Sequence, residues 1–303
     1  MINELNGQHT VNEDSYNIYY VSMGAPSVTM LLNSLAPQKA ATIESFFDNI
    51  PNEVVYVNLG FDYPEVTETA KVIAALCKEN QIKFTELNGD LEELMLRKKI
   101  SGKSRPANWK VNLMWRAYTM RLQRGYGWCG GRIRFGTTLK NKLINEHLRE
   151  VRSLIGKYKL IRCYIGLTSG EEIRASRQIA INTKKNCIKL YPLIDGGYSK
   201  DYCKQLVKEK GLPISRIYEA GLNYVGCWCC RNHGIKELRA MLNNMPEVYN
   251  KLKELEKAIK EPYYRSPRGW ALLDDVRWNA TQYQQVNEQS EQYNRLGNDE
   301  DDK

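Results

Sequence analysis

A chain of 303 residues, 42% hydrophobic and 26% charged, is long enough for roughly two domains and has the make-up of an ordinary globular protein, which excludes wholesale disorder and a fibrous repeat. Its 44 Lys and Arg against 35 Asp and Glu give a net charge of +9, and no apolar run approaches the roughly 18 residues of a membrane-spanning helix. The first nine residues lack the basic start and apolar stretch of a signal peptide, so the sequence reads as cytoplasmic, with no membrane partner.

In chain order, Tyr16 to Ser22 is rich in β-formers, breaks at Met23-Gly24-Ala25-Pro26-Ser27, and resumes as the apolar run Val28 to Leu35. This predicts a strand, a tight turn and a helix, with Pro26 tolerated in the first helical turn. Glu53 to Asn58 predicts a second strand. Pro64-Glu65 then opens a helix whose Val66, Ala70, Ile73 and Cys77 share one face. Lys83 to Leu87 and Leu160 to Leu167 are further strand candidates, and Cys163 and Cys187 lie in strand-like runs. Beyond Asp195 the pattern turns helical: Ser199 caps a helix running to Lys210 and closed by Gly211, and Pro246 to Lys260 carries Val248, Leu252, Leu255 and Ile259 in register.

Strands alternating with helices imply a Rossmann-like α/β fold, a parallel sheet with helices on both faces, followed by a mostly helical C-terminal region. The expected boundaries are an α/β domain over 1–198, a helical Cys-rich region over 199–286 and a disordered polar tail over 287–303. In such sheets ligands sit beyond the carboxyl ends of the strands. The turn Ser22 to Ser27 places a glycine and two hydroxyls ahead of a helix amino terminus, where outward N–H groups and the helix dipole suit an anion.

Charge is unevenly placed. From Arg97 to Lys142 there are thirteen Lys and Arg and no acid, an anion-seeking stretch that fits phosphate, sulfate or nucleic acid as partner, or else a set of solvated helix faces. Asn287 to Lys303 carries six acids against two bases and almost nothing apolar. Eight cysteines in a chain read as cytoplasmic favour metal or redox chemistry over structural disulfides. Cys77, Cys163 and Cys187 read most simply as small buried residues. Cys129, in Gly127-Trp128-Cys129-Gly130-Gly131, and Cys227, Cys229 and Cys230, in Gly226-Cys227-Trp228-Cys229-Cys230, are the informative ones. The C-x-x-C spacing of Cys227 and Cys230 lets two thiolates converge on one ion, and one pair does not complete a tetrahedral site. His233 is a further possible ligand, although a lone histidine in a polar loop is usually exposed.

The ordered succession Val21-Ser22-Met23-Gly24-Ala25-Pro26-Ser27, then Val54 to Glu65, Gly127-Trp128-Cys129, Tyr164-Ile165-Gly166-Leu167-Thr168 and Leu190 to Asp195 resembles the phosphoadenosine-phosphosulfate (PAPS) reductase family of the adenine-nucleotide α-hydrolase (PP-loop) superfamily. The resemblance implies that Ser22, Met23, Gly24, Ala25 and Ser27 cradle a phosphate or sulfate, and that Asn58 and Gly60 lie near the adenosine. It also implies that Arg132, Arg134, Thr168, Arg174 and Arg177 face the anionic groups of a nucleotide such as ATP or PAPS. It further implies Cys129 and Cys203 as the partners of Cys227 and Cys230 around an iron-sulfur cluster, of the four-iron type by resemblance, or around zinc.

Two departures stand out. Ala25 and Pro26 occupy positions where ATP-cleaving members have Lys and Asp, and no cysteine follows Cys230, whereas sulfite-forming reductases place their nucleophile in a carboxyl-terminal Glu-Cys-Gly-Leu-His-like motif. The leading expectation is therefore an enzyme of sulfur transfer or nucleic-acid modification, its basic 97–142 segment holding a nucleic acid. The alternatives are a sulfonucleotide reductase with a displaced nucleophile and a nucleotide-binding module without turnover.

Overall fold

The computed structural model describes residues 15–35, 50–96, 127–128, 135–179, 186–260, 262–266, 269–271 and 273. By compactness the chain divides into two units, one drawn from Met1–Leu91 and Phe135–Trp228, the other from Glu92–Arg134 and Cys229–Lys303.

The first unit is built on a parallel sheet of β1 (Ser15–Tyr20), β2 (Glu53–Asn58), β3 (Lys83–Asn88), β4 (Leu160–Ile165) and β5 (Cys187–Leu190), in the order β3-β2-β1-β4-β5. Parallel strands need crossovers, and these are α1 (Ala25–Leu35), α2 (Pro64–Glu79), α4 (Phe135–Ile155) and α5 (Glu172–Ile179); the short α3 (Leu91–Leu96) follows β3. Burial on both faces makes the strands near-continuous apolar runs, as in Glu-Val-Val-Tyr-Val-Asn of β2, where only Asn58 is not fully buried. Alternate residues of β1 serve the two sides. Ile18 packs with Val55 and Ile161 against Leu148, Val151 and Ile155 of α4, while Tyr19 stacks on Tyr164 with ring centroids 4.3 Å apart. The chain is therefore a Rossmann-like α/β protein with helices on both faces of the sheet, as its strand-helix alternation predicts.

Local chemistry sets the element ends. Pro64 opens α2 with Glu65 in its first turn and Lys78 in its last, matching the helix dipole, and Val66, Thr69, Ala70, Ile73 and Cys77 form its buried face. β1 and β4 each stop two residues earlier than their apolar runs suggest, because Val21 and Leu167 already belong to the loops that turn over the sheet. α4 has no counterpart among the expected elements. After β5 come α6 (Pro192–Asp195), α7 (Lys200–Glu209) and α8 (Ser215–Glu219). The Ser199 hydroxyl accepts from Tyr202 N–H at 3.1 Å and so caps α7, which ends at Lys210 with Gly211 at φ +63°. α7 packs against α1, whose Val28, Met30 and Leu31 are fully enclosed.

Beneath the amino-terminal ends of the strands lies a fully buried acid. Glu53 takes Lys83 Nζ at 2.9 Å and the Thr85 hydroxyl on one oxygen, and the Tyr16 hydroxyl at 3.1 Å with His147 Nε2 at 3.4 Å on the other. Burial alone would raise its pKa. The His147 imidazole at 3.4 Å, with the bonds from Thr85 and Lys83, outweighs it and holds the carboxyl at about 2.

The second unit is helical, with α9 (Ile235–Asn244) and α10 (Pro246–Ile259) packed together and a two-stranded antiparallel ribbon of β6 (Tyr264–Ser266) and β7 (Gly269–Ala271). The mostly helical C-terminal region is thus present, and α10 spans the expected residues with Lys260 left-handed at its end. Buried Glu256 of α10 ties down the chain beyond the helix by accepting from Tyr263 N–H at 2.7 Å and Leu273 N–H at 3.0 Å.

Candidate functional site at the carboxyl ends of the strands

In the order β3-β2-β1-β4-β5 the connections diverge between β1 and β4, and that crevice is where open α/β sheets place ligands. The Ser22–Ser27 turn lies there, joining β1 to α1. Its geometry is self-contained. Ser22 N–H donates to Ser27 Oγ at 3.1 Å, the Ser27 hydroxyl donates to Gly24 O at 3.0 Å, and Val28 N–H closes the first helical turn on Gly24 O at 3.0 Å. The Tyr218 hydroxyl of α8 accepts from Ala25 N–H at 2.9 Å, and burial pushes that hydroxyl up to about 12. Met23, Gly24, Ala25 and Ser27 are buried, and Ser22 is exposed. The left-handed residue of the turn is Met23, at φ 58°, and not Gly24.

The glycine that the crevice does require is Gly166, at the end of β4. A Cβ there would stand 2.5 Å from Ser27 Cα and 2.7 Å from Ser27 N, so the β4 loop and the start of α1 meet backbone to backbone. Sequence reasoning did not single it out as a site residue. Two residues on, Thr168 is buried, and both its N–H and its hydroxyl donate to Glu171 Oε2 at 3.1 Å. Arg174 pairs with Glu171 Oε1 at 2.8 Å, while Arg177 is exposed. Burial opposes ionisation of Glu171, and these bonds from Thr168 and Arg174 together lower its pKa. The two cationic and hydroxylic groups expected at an anion are thus joined by an acid between them.

On the other side of β1, Asn58 ends β2. Its Oδ1 accepts from Gly60 N–H at 2.8 Å, its amide donates to Glu86 Oε1 at 2.9 Å, and Gly60 takes φ +85° to make the turn. Below it the Tyr56 hydroxyl donates to Asp62. Burial raises the Asp62 carboxyl, against the pull of Tyr56 and of Lys140 on α4, and burial with the Asp62 charge keeps the Tyr56 phenol protonated. Tyr56 and Asp62 lie in the Val54–Glu65 stretch and Lys140 in the basic one, but sequence reasoning assigned none of the three a role at the site.

The cysteine-rich segment reaches this same rim at its first residues. Trp228 N–H donates to Phe61 O at 2.9 Å, the two rings meet edge to face at 4.9 Å, and Cys227 adds to the negative field that raises Tyr56. Cys203 lies on the buried side of α7, near Thr29 of α1, and burial pushes its thiol up to about 11. Within the second unit, Cys229 is buried and burial raises the Cys230 thiol. Cys230 O accepts from the Tyr263 hydroxyl, so His233 Nδ1–H, 3.1 Å away, donates to that same phenolic oxygen. His233 is therefore buried, its pKa lowered chiefly by that burial, and not the exposed loop residue its polar neighbours suggest. Trp128 packs edge to face on Tyr263 at 4.8 Å with the Arg231 guanidinium above its ring.

Cys129, Arg132 and Arg134 lie outside the described residues, as do the tail and the basic segment over 97–126 and 129–134. Among the described residues no three His, Cys, Asp or Glu side chains converge as a set of metal ligands, and no helix is long and apolar enough to cross a membrane. What fold and site define together is a Rossmann-like α/β protein whose strand-end rim carries a hydroxyl-bearing helix start and the head of a cysteine-rich loop. No family model matches the chain, and no curated protein matches it.

Proposed function

We propose that the chain is a PAPS reductase-like protein of the PP-loop type that binds an adenine nucleotide across the carboxyl ends of β1, β2 and β4. In this reading the exposed Ser22 hydroxyl and the start of α1 receive the phosphate or sulfate, and Asn58 and Gly60 border the adenosine. Arg132, Arg134 and Arg177 supply further positive charge, and the chemistry is sulfur transfer or modification of a nucleic acid gripped by the 97–142 segment. The observation that carries it is the Trp228 to Phe61 backbone bond, which brings the head of the cysteine-rich loop to the rim that the strand order marks for a ligand.

The metal half of the reading rests on the donor chemistry of Cys129, Cys203, Cys227 and Cys230. The three described members do not form a ligand set, so no chemical step is routed through a cluster or zinc. Purification without oxygen, with metal and co-purified nucleotide analysis, tests it: a brown protein with stoichiometric iron supports the cluster, a colourless one with one zinc replaces it, and a metal-free one rejects both.

Calorimetric titration with ATP and with PAPS tests the nucleotide half, which absence of binding to either would overturn. Release of AMP or sulfite supports turnover. Binding without product favours the non-catalytic module, a second reading favoured by the turn's internal hydrogen bonding and by Ala25 and Pro26 in place of Lys and Asp. Nucleic-acid binding that falls steeply with added salt supports the role of the basic segment.

A further inference from the structure

Cys163 and Cys187 sit on neighbouring strands, β4 and β5, with their sulfurs 3.4 Å apart. The register pairs Ile161 with Cys187 and Cys163 with Lys189, so the two thiols lie on the same face of the sheet, one pleat apart. Cys163 is enclosed, 2% exposed, in the cluster with Ile18, Val55, Val151 and Ile161, whereas Cys187 is half-buried. Two cations attend them. Lys189 is in register beside Cys163, and Arg152 of α4 reaches across to donate to Asn186 O at 3.0 Å, one residue before Cys187.

We propose that Cys163 and Cys187 form a redox-active dithiol that exchanges with low-molecular-weight disulfides, Cys187 as the attacking thiol and Cys163 as the resolving one. This role is independent of nucleotide binding. The bond donated by the Cys163 thiol, helped by Arg152 and Lys189, lowers the pKa of Cys187 against its burial, and Cys163 is held protonated in turn. The Cys187 thiolate attacks one sulfur of the incoming disulfide, forming a mixed disulfide and expelling one thiolate. Cys163 then passes its proton to that leaving group or to solvent and attacks the Cys187 sulfur, releasing the second thiol. The incoming disulfide is reduced to two thiols, and the protein dithiol is oxidised by the same two electrons. The sulfurs must close from 3.4 Å to about 2.05 Å. Among the described residues β5 is a four-residue edge strand paired with β4 alone, so it is the element that yields.

The test uses the reduced full-length chain and oxidised glutathione at pH 7, with acid quench, alkylation and peptide mapping without reduction. The expected product is a Cys163–Cys187-linked peptide that dithiothreitol abolishes, formed while the far-ultraviolet circular dichroism stays native. In Cys163→Ser, glutathione should remain on Cys187; in Cys187→Ser, Cys163 should stay unmodified. In the wild type, iodoacetamide should label Cys187 at least about tenfold faster than buried Cys77. Glutathione persisting on Cys187 of the wild type, a linked peptide formed only in denaturant, or labelling of Cys187 no faster than Cys77 would each overturn the proposal. The wild-type measurements decide it even where a variant does not fold.

Discussion

Replacing Glu53 by Gln removes the charge under the sheet while keeping nearly the same volume. A carboxyl held at about 2 in the fold, against its ordinary 4.5, contributes about 3.4 kcal/mol at pH 7. Because the folded pKa is depressed, that contribution is fully present above 4.5 and is lost as pH falls through 2; about 1.4 kcal/mol remains at pH 3. Glu53→Gln should therefore unfold at lower urea than the wild type at pH 7, by roughly 3 kcal/mol. The gap should narrow by more than half at pH 3. Tryptophan fluorescence and far-ultraviolet circular dichroism across urea at pH 7, 5 and 3 provide the readout. A variant as stable as the wild type at pH 7, or a gap of equal size at pH 7 and pH 3, would refute the reasoning. Either outcome would mean that Lys83, His147, Thr85 and Tyr16 do not favour the ionised acid.

Substitutions at three further positions probe the frame of the site. Gly166→Ala drives a methyl into the Ser27 backbone and should cost about 1–3 kcal/mol by thermal unfolding; an unchanged melting temperature would disprove the close approach. Tyr218→Phe deprives Ala25 N–H of its acceptor and should cost about 1 kcal/mol in denaturant titration, whereas a neutral result would show that the bond is not made in solution. Ser199→Ala should lower stability by about 1 kcal/mol through the lost cap of α7, and Ser199→Asp should restore it; equal stability of all three chains would show that the cap contributes nothing.

Much of the frame was legible because its signals are local. Pro64 with Glu65, Ser199 with Gly211, and the apolar spacing from Val66 to Cys77 each state an element in a few residues, and the structure returns them nearly to the residue. α4 was hidden because its first residues fall in the basic stretch, which reads first as charge. The turn over β1 was legible as a turn, but its handedness was not: Gly24 attracts attention, while Met23 adopts the left-handed backbone. Gly166 looks like any glycine after a strand until the sheet order brings Ser27 against it. Neither the 3.4 Å approach of Cys163 to Cys187 nor the burial of His233 against Tyr263, thirty residues on, has a short-range signature, since each depends on register or on packing by a distant segment.

The meeting of Gly166 with Ser27 also closes a gap at the strand tips. Where two main chains abut with no side chain between them, there is no slot for a flat ring to wedge into and no lever by which a rotamer change could open one. The β4 loop and the first turn of α1 therefore form one continuous wall, and neither main chain can shift there without moving the other. That continuity depends on the absence of a single methyl group.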